Sequence, residues 1–190
     1  MTRIIAGIAG SMPLKGPASS TRPTSDRVKE SLFGKLESLD AIDGYDVLDL
    51  YAGTGALGLE AASRGAKSVT LVESNKQAIE VCKANIQSIK KALNQHQPES
   101  PIDLSSAMVS KFLSSTNRTF DLVFSDPPYE LSNDRVLEDI GMLESKLNRG
   151  AILVIERASK GASLETPLGF DSIQTKTYGD TAVYFFQKLD

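Results

Sequence analysis

An α/β domain built on a mostly parallel sheet is the fold this sequence predicts, and three observations carry the prediction. From residue 46 onward, short apolar runs alternate with helical segments, and a glycine-rich loop joins the first run to its helix. Two β-type runs around Gly179-Asp180 close the chain. Alternation calls for crossover connections, hence parallel strands covered on both faces, whereas a tight turn makes an antiparallel pair. A parallel sheet extended by a C-terminal antiparallel hairpin follows.

Residues 2–9 read as a short strand, and Ser11 to Pro23, rich in Ser, Pro and Gly, as a loop or arm. Thr24-Ser25-Asp26 supplies capping residues and an acid for a helix on which Val28, Leu32, Phe33, Leu36 and Leu39 recur at helical spacing. Val47 to Tyr51 is a strand, followed by the glycine loop and a short helix through Ala62. Ser68 to Glu73 is the second strand. Lys76 to Leu93 is a long helix with an apolar stripe of Ala78, Ile79, Cys82, Ile86, Ile89 and Leu93. After a polar loop, Ile102 to Leu104 is a weak strand and Met108 to Leu113 a short helix. Phe120 to Ser125 and Ala151 to Ile155 are strands, with no element assigned between Tyr129 and Ala151. Ser172 to Tyr178 and Ala182 to Gln187 form the hairpin.

The bulk properties narrow the function classes. With 190 residues, 41% hydrophobic and 24% charged, one domain over 1–190 is expected. Residues 1–40 form an N-terminal extension to a core of 41–190. One cysteine and one histidine exclude an internal disulfide and disfavour structural zinc. Cys82 lies on an apolar stripe and packs as a small hydrophobe. No apolar run has the length of a membrane span, and a basic-then-apolar leader pattern is missing, so a cytoplasmic protein is expected. The charge is uneven: residues 1–35 hold six basic and two acidic side chains, so +4 of a total of −3 leaves −7 on the rest. A basic segment on an acidic body fits a local phosphate-contacting arm better than a general polyanion binder.

Asp126-Pro127-Pro128-Tyr129 follows a buried-type strand, at the sheet edge where open α/β folds bind ligands. The prolines fix the backbone and remove two N–H donors. The loop therefore offers carbonyl oxygens, one carboxylate and an aromatic ring, a set suited to a planar base bearing an exocyclic amine. As a short motif it reads equally well as a structural turn.

Gly53-Thr54-Gly55-Ala56-Leu57-Gly58 matches G-x-G-x-x-G between a strand and a helix, with Glu73 twenty residues after Gly53. By pattern this is a dinucleotide fingerprint, with Glu73 on the ribose, and a nicotinamide oxidoreductase is a competitor. Asp49, four residues before Gly53, would repel a pyrophosphate. An antiparallel hairpin is also not needed by a dinucleotide domain. Both features fit S-adenosylmethionine, which carries a ribose, a sulfonium and an ammonium but no phosphate.

Taken together these residues resemble the class I S-adenosylmethionine-dependent methyltransferases, whose fold is Rossmann-like with a seven-stranded sheet. Asp49-Leu50-Tyr51-Ala52-Gly53-Thr54-Gly55 looks like their first motif, and Asp126-Pro127-Pro128-Tyr129 like the fourth motif of the branch that methylates amino groups. Many guanine-N2 enzymes of that branch, and its glutamine enzymes, carry Asn at the position of Asp126. The stretch from Thr21 to Phe33 resembles the signature of the RsmD family, as do Ile4-Ile5-Ala6-Gly7, Gly55 to Ala61 and Tyr178-Gly179-Asp180-Thr181. The resemblance spans nearly the whole chain.

It implies methylation of guanine N2 in 16S ribosomal RNA, within a partly assembled small subunit, by a monomer with no membrane association. It further implies that Asp126, Pro127, Pro128 and Tyr129 serve the target base. Asp49, Tyr51, Gly53, Thr54, Gly55 and Glu73 would bind cofactor, and Arg22, Thr24, Ser25 and Arg27 would meet RNA. Where the superfamily usually places an acid against adenine, this chain has Ser105-Ser106-Ala107, so Ser106 is the candidate contact. Two alternatives share the motifs: an adenine-N6 nucleic-acid methyltransferase and a catalytically silent ribosome-assembly factor.

Overall fold

The computed structural model describes residues 2–16, 26–94 and 101–189. Among these, helices α1 (Asp26–Glu37), α2 (Ala56–Ser63), α3 (Lys76–Leu93), α4 (Val109–Ser115) and α5 (Asn133–Leu143) surround one sheet. Its strands are β1 (Asp46–Leu50), β2 (Ser68–Glu73), β3 (Ile102–Ser106), β4 (Phe120–Ser125), β5 (Leu147–Ala158), β6 (Phe170–Tyr178) and β7 (Thr181–Lys188). The order is β3-β2-β1-β4-β5-β7-β6, with β7 antiparallel to both neighbours and every other pairing parallel. The sheet therefore has the mostly parallel, hairpin-extended form the alternation predicts.

Strand alternation divides the core in two. Val47, Leu122, Phe124, Ile152, Val154, Val183 and Phe185 face the layer of α1, α2, α3 and the N-terminal segment. Leu48, Leu50, Val123, Leu153, Ile155, Tyr184 and Phe186 face α4 and α5. Because β1 pairs with β2 on one side and β4 on the other, the chain reverses winding direction at β1/β4. Loops leaving the two strands separate there and open a crevice, the usual ligand position in such sheets.

Two expectations are corrected. Residues 2–9 do not form a strand: only Arg3 bridges, to Pro13, in antiparallel fashion. Ile4 N–H donates to the Met12 carbonyl at 2.9 Å, and several of the following N–H groups are taken by α2. Ile5 and Ala6 N–H donate to Glu60 at 2.6 and 3.0 Å, Ile8 N–H to the Ser63 carbonyl at 2.8 Å, and Ala9 N–H to Ser63 Oγ at 2.9 Å. Gly7, at φ +81°, lies so close that a Cβ would stand 1.9 Å from the Ser63 carbonyl oxygen. The second correction is α5, to which no sequence element corresponds. Ser132 caps it by accepting the Arg135 N–H at 3.3 Å, and Val136, Ile140 and Leu143 bury one face.

A buried ion cluster seals the N-terminal segment. Lys29 of α1 is fully buried, donates to the Arg3 carbonyl and lies 3.7 Å from Glu60, which also accepts from Arg64 Nε at 2.8 Å. Burial pulls the Lys29 ammonium below its ordinary range, with Glu60 opposing.

Candidate active site

The crevice has two walls, the first built at the carboxyl ends of β1 and β2. Asp49 is buried, and its Oδ2 accepts the Gly58 N–H at 2.8 Å, holding the start of α2 against β1. Helix and sheet approach closely here. A Cβ on Gly58 would meet Leu71 Cδ2 at 2.6 Å, Val69 Cγ1 at 3.0 Å and Asp49 Oδ2 at 3.1 Å. Burial pushes the Asp49 carboxyl up to about 7, with the Gly58 N–H opposing and Glu73 adding to the rise.

Glu73, at the end of β2, organises the loop. Its Oε2 accepts the Gly53 N–H at 2.8 Å, and its Oε1 accepts Ser74 and Asn75 N–H, both at 2.7 Å. Ser106 closes this wall at the end of β3, exposed and in register with Glu73. The Cβ position of Gly53 faces open space, with only the Tyr51 carbonyl at 3.9 Å. The wall is thus a cradle of backbone and two carboxylates. That set suits a ribose and an ammonium and opposes a pyrophosphate.

Two residues of the first-motif stretch are held by partners distant in sequence. Tyr51 takes a left-handed backbone (φ 59°), and its hydroxyl donates to Asp139 Oδ2 of α5 at 2.6 Å. Burial and Asp139 both raise its pKa, so it stays a phenol. Its side chain therefore ties the loop to α5. Thr54 is held by its carbonyl, which accepts from Asn85 Nδ2 at 2.9 Å. Asn85 also accepts the Lys15 N–H at 2.8 Å and donates to the Lys15 carbonyl at 3.1 Å. Sequence reasoning missed this residue, although a buried polar side chain three positions after Cys82 on the apolar stripe was the available signal.

The second wall stands at the ends of β4, β5 and β7. The Asp126 N–H reaches the Leu50 carbonyl at 3.4 Å, joining the proline loop to the end of β1. Arg157 of β5 braces the loop: it donates to the Pro128 carbonyl at 3.3 Å, to the Leu131 carbonyl, and to Asn133 Oδ1 at 3.2 Å. The Pro128 carbonyl is accordingly turned to Arg157. Tyr129 is 44% exposed, with its hydroxyl 3.1 Å from Thr181 Oγ1 and 3.4 Å from Glu156 Oε1. The ring is thus anchored at its hydroxyl and partly open to solvent. The Asp126 carboxyl is held well above the usual carboxylate range, first by burial and then by Glu156 and Asp49. Glu156 and Arg157 were also missed, though a charged pair ending an apolar strand marked them.

The candidate RNA contacts are only partly visible. Arg27 is exposed on the first turn of α1. Arg22, Thr24 and Ser25 lie outside the described residues. Tyr178 meets Ser31 of α1 through its hydroxyl, and Lys176 Nζ donates to the same Ser31 Oγ at 2.9 Å. The hairpin turn is thereby joined to α1.

A sheet of this order, with a glycine loop and an acidic proline loop on either side of its switch point, defines a Rossmann-like methyltransferase fold. The chain belongs to the RsmD family, whose model, described as "Conserved hypothetical protein 95", matches residues 2–187. It is similar to the ribosomal RNA small subunit methyltransferase D of Haemophilus influenzae, 32% identical over 97% of this chain and 93% of that one. Among solved structures it is similar to a proposed methyltransferase of Escherichia coli, yhhF, with TM-score 0.83, 28% identity, and coverage of 99% of this chain and 98% of that one. A proposed methylase of Haemophilus influenzae aligns with TM-score 0.77 and 32% identity over 99% of this chain and 98% of that one.

Proposed function

We propose that this chain transfers a methyl group from S-adenosylmethionine to the exocyclic N2 amine of a guanine in 16S ribosomal RNA. The observation that carries the reading is the joining of the two loops across β1/β4, where the Asp126 N–H meets the Leu50 carbonyl. A cradle bearing two carboxylates and a loop of amine acceptors then share one crevice. The Haemophilus relative's designation as a small-subunit methyltransferase supports the RNA class.

When bound, S-adenosylmethionine supplies an electrophilic methyl carbon on a sulfonium. Glu73 and Ser106 would face its adenosine portion, and Asp49 with the Gly53–Gly55 backbone its methionine portion. The target amine is a poor nucleophile because its lone pair is delocalised into the ring. Asp126 and the Pro127 carbonyl accept the amine hydrogens, which favours a pyramidal nitrogen and stabilises the positive charge that develops on it. Tyr129 stacks on the base, which must be splayed out of its helix or drawn from an unpaired loop. Holding both partners in line accounts for most of the acceleration. Arg22, Thr24, Ser25 and Arg27 in the N-terminal 40 residues would contact phosphates of a partly assembled small subunit.

The test is transfer of tritiated methyl from S-adenosylmethionine to small subunits from a strain lacking this protein, followed by nucleoside digestion. Label in N2-methylguanosine is expected. Label in N6-methyladenosine would keep the mechanism and change the base. The silent-factor alternative predicts no label despite cofactor binding.

A further inference from the structure

Glu156 is an ionisable group at this site to which the reaction above assigns no role. The register pairs Ser125 of β4 with Ile155 of β5, so the next residues, Asp126 and Glu156, stand side by side at the carboxyl edge. Alternation along β5 puts Glu156 on the same sheet face as Val154, the face covered by α1 and α2, and Asp126 directly follows Ser125. Glu156 is only 7% exposed, and the Tyr129 hydroxyl donates to its Oε1 at 3.4 Å. The stacking ring is thus tethered to this carboxylate. Two adjacent buried carboxylates repel each other, and the Asp126 carboxyl is held above the usual range first by burial and then by Glu156 and Asp49. A ligand edge consisting of donors relieves that repulsion, whereas an edge containing a lone pair adds to it.

Guanine and adenine differ in this respect. Beside its N2 amine guanine carries N1–H, a second donor. Beside its N6 amine adenine carries N1 as a bare acceptor. Resting on the guanine-N2 reading above, we infer that Glu156 is the specificity-determining residue of the site. It accepts the guanine N1–H while Asp126 holds the amine, and it turns away bases whose N1 is a lone pair. A site built around a buried acceptor rejects a ligand lacking the matching hydrogen far more strongly than an apolar pocket rejects a difference in size.

The test uses 2-aminopurine, which keeps the amine at C2 but has no hydrogen on N1. Small subunits are reconstituted with guanine or 2-aminopurine at the position that the wild-type protein methylates, and kcat/KM is measured on each. The wild type should prefer guanine by roughly 10- to 100-fold, the loss expected for one charge-assisted hydrogen bond. Glu156→Gln should bring the ratio close to one, because an amide can accept from N1–H or donate to a bare N1. Its affinity for S-adenosylmethionine, measured by calorimetry, should be unchanged. A merely structural Glu156 would lower both rates together and leave the ratio intact, which would overturn the inference. So would equal wild-type rates on the two bases, a result that needs no variant to fold. If the wild type puts no label into N2-methylguanosine at all, the guanine reading itself fails, and that outcome is distinct from either of the others.

Discussion

The two walls of the crevice are built on different principles. On the β1/β2 side each carboxylate is matched to backbone N–H groups, Asp49 to Gly58 and Glu73 to Gly53, Ser74 and Asn75. On the β4/β5 side the acceptors crowd one another, and Arg157 braces the loop from the opposite face. The first wall is organised before any ligand arrives. The second carries an electrostatic cost that a hydrogen-rich ligand edge would offset. Pre-organisation suits a cofactor common to many reactions, and conditional stabilisation suits a substrate that must be discriminated.

Four substitutions test whether the two walls act independently. Asp126→Ala should lower kcat for methyl transfer by about 100- to 1000-fold, as expected when one group aimed at developing charge is removed. Cofactor affinity, measured by calorimetry, should barely change. An equal loss of both would mean that the walls are not independent. Glu73→Ala should do the reverse, weakening cofactor binding by roughly 10- to 100-fold as buried loop N–H groups lose their acceptor. Arg157→Met should loosen the proline loop by freeing the Pro128 and Leu131 carbonyls. It should reduce kcat by on the order of tenfold with cofactor affinity retained, since misplacing a positioned group is costly.

The smallest effect concerns pH. Asp49 is raised from 3.8 to about 7 by folding, so its neutral form is favoured in the folded state. Its contribution is fully present below pH 3.8 and is lost as pH rises to about 7. Asp49→Asn, whose amide oxygen can still accept the Gly58 N–H, should flatten the fall in Tm across this window by on the order of a few degrees. An unchanged slope would show that Asp49 is ionised in the fold throughout. Activity should move oppositely, rising with pH as Asp126 and Asp49 become acceptors, and a kcat/KM profile would report it.

The family signature also acquires a physical meaning. The stretch from Thr21 to Phe33 suggested RNA contact, yet Lys29 within it is buried against Arg3 and Glu60. Ile5, Ala6 and Gly7 meet Glu60 and Ser63 from the other end of the pattern. Part of what reads as a recognition signature is therefore an internal polar cluster. Removing one partner of such a buried pair typically costs about 3–5 kcal/mol.

Local pattern carried most of the fold. Short apolar runs and period-3.6 hydrophobicity located β2, α3 and β4 to the residue, because burial on both faces of a central strand or along one helix face is written in one stretch of chain. Glycine and proline chemistry likewise located both loops of the candidate site, since backbone constraint is a local property. What escaped depended on partners distant in sequence. Residues 2–9 have strand composition, but several of their N–H groups are taken by α2. Asn85 and Arg157 matter through carbonyls 31 and 29 positions away. Glu156 acquires its neighbour Asp126 only through the β4/β5 register. The chain by itself determined the elements, their alternation and the two chemical loops. Tertiary structure alone decided which buried polar groups face each other, because burial and charge proximity are properties of the packed sheet and of no single segment.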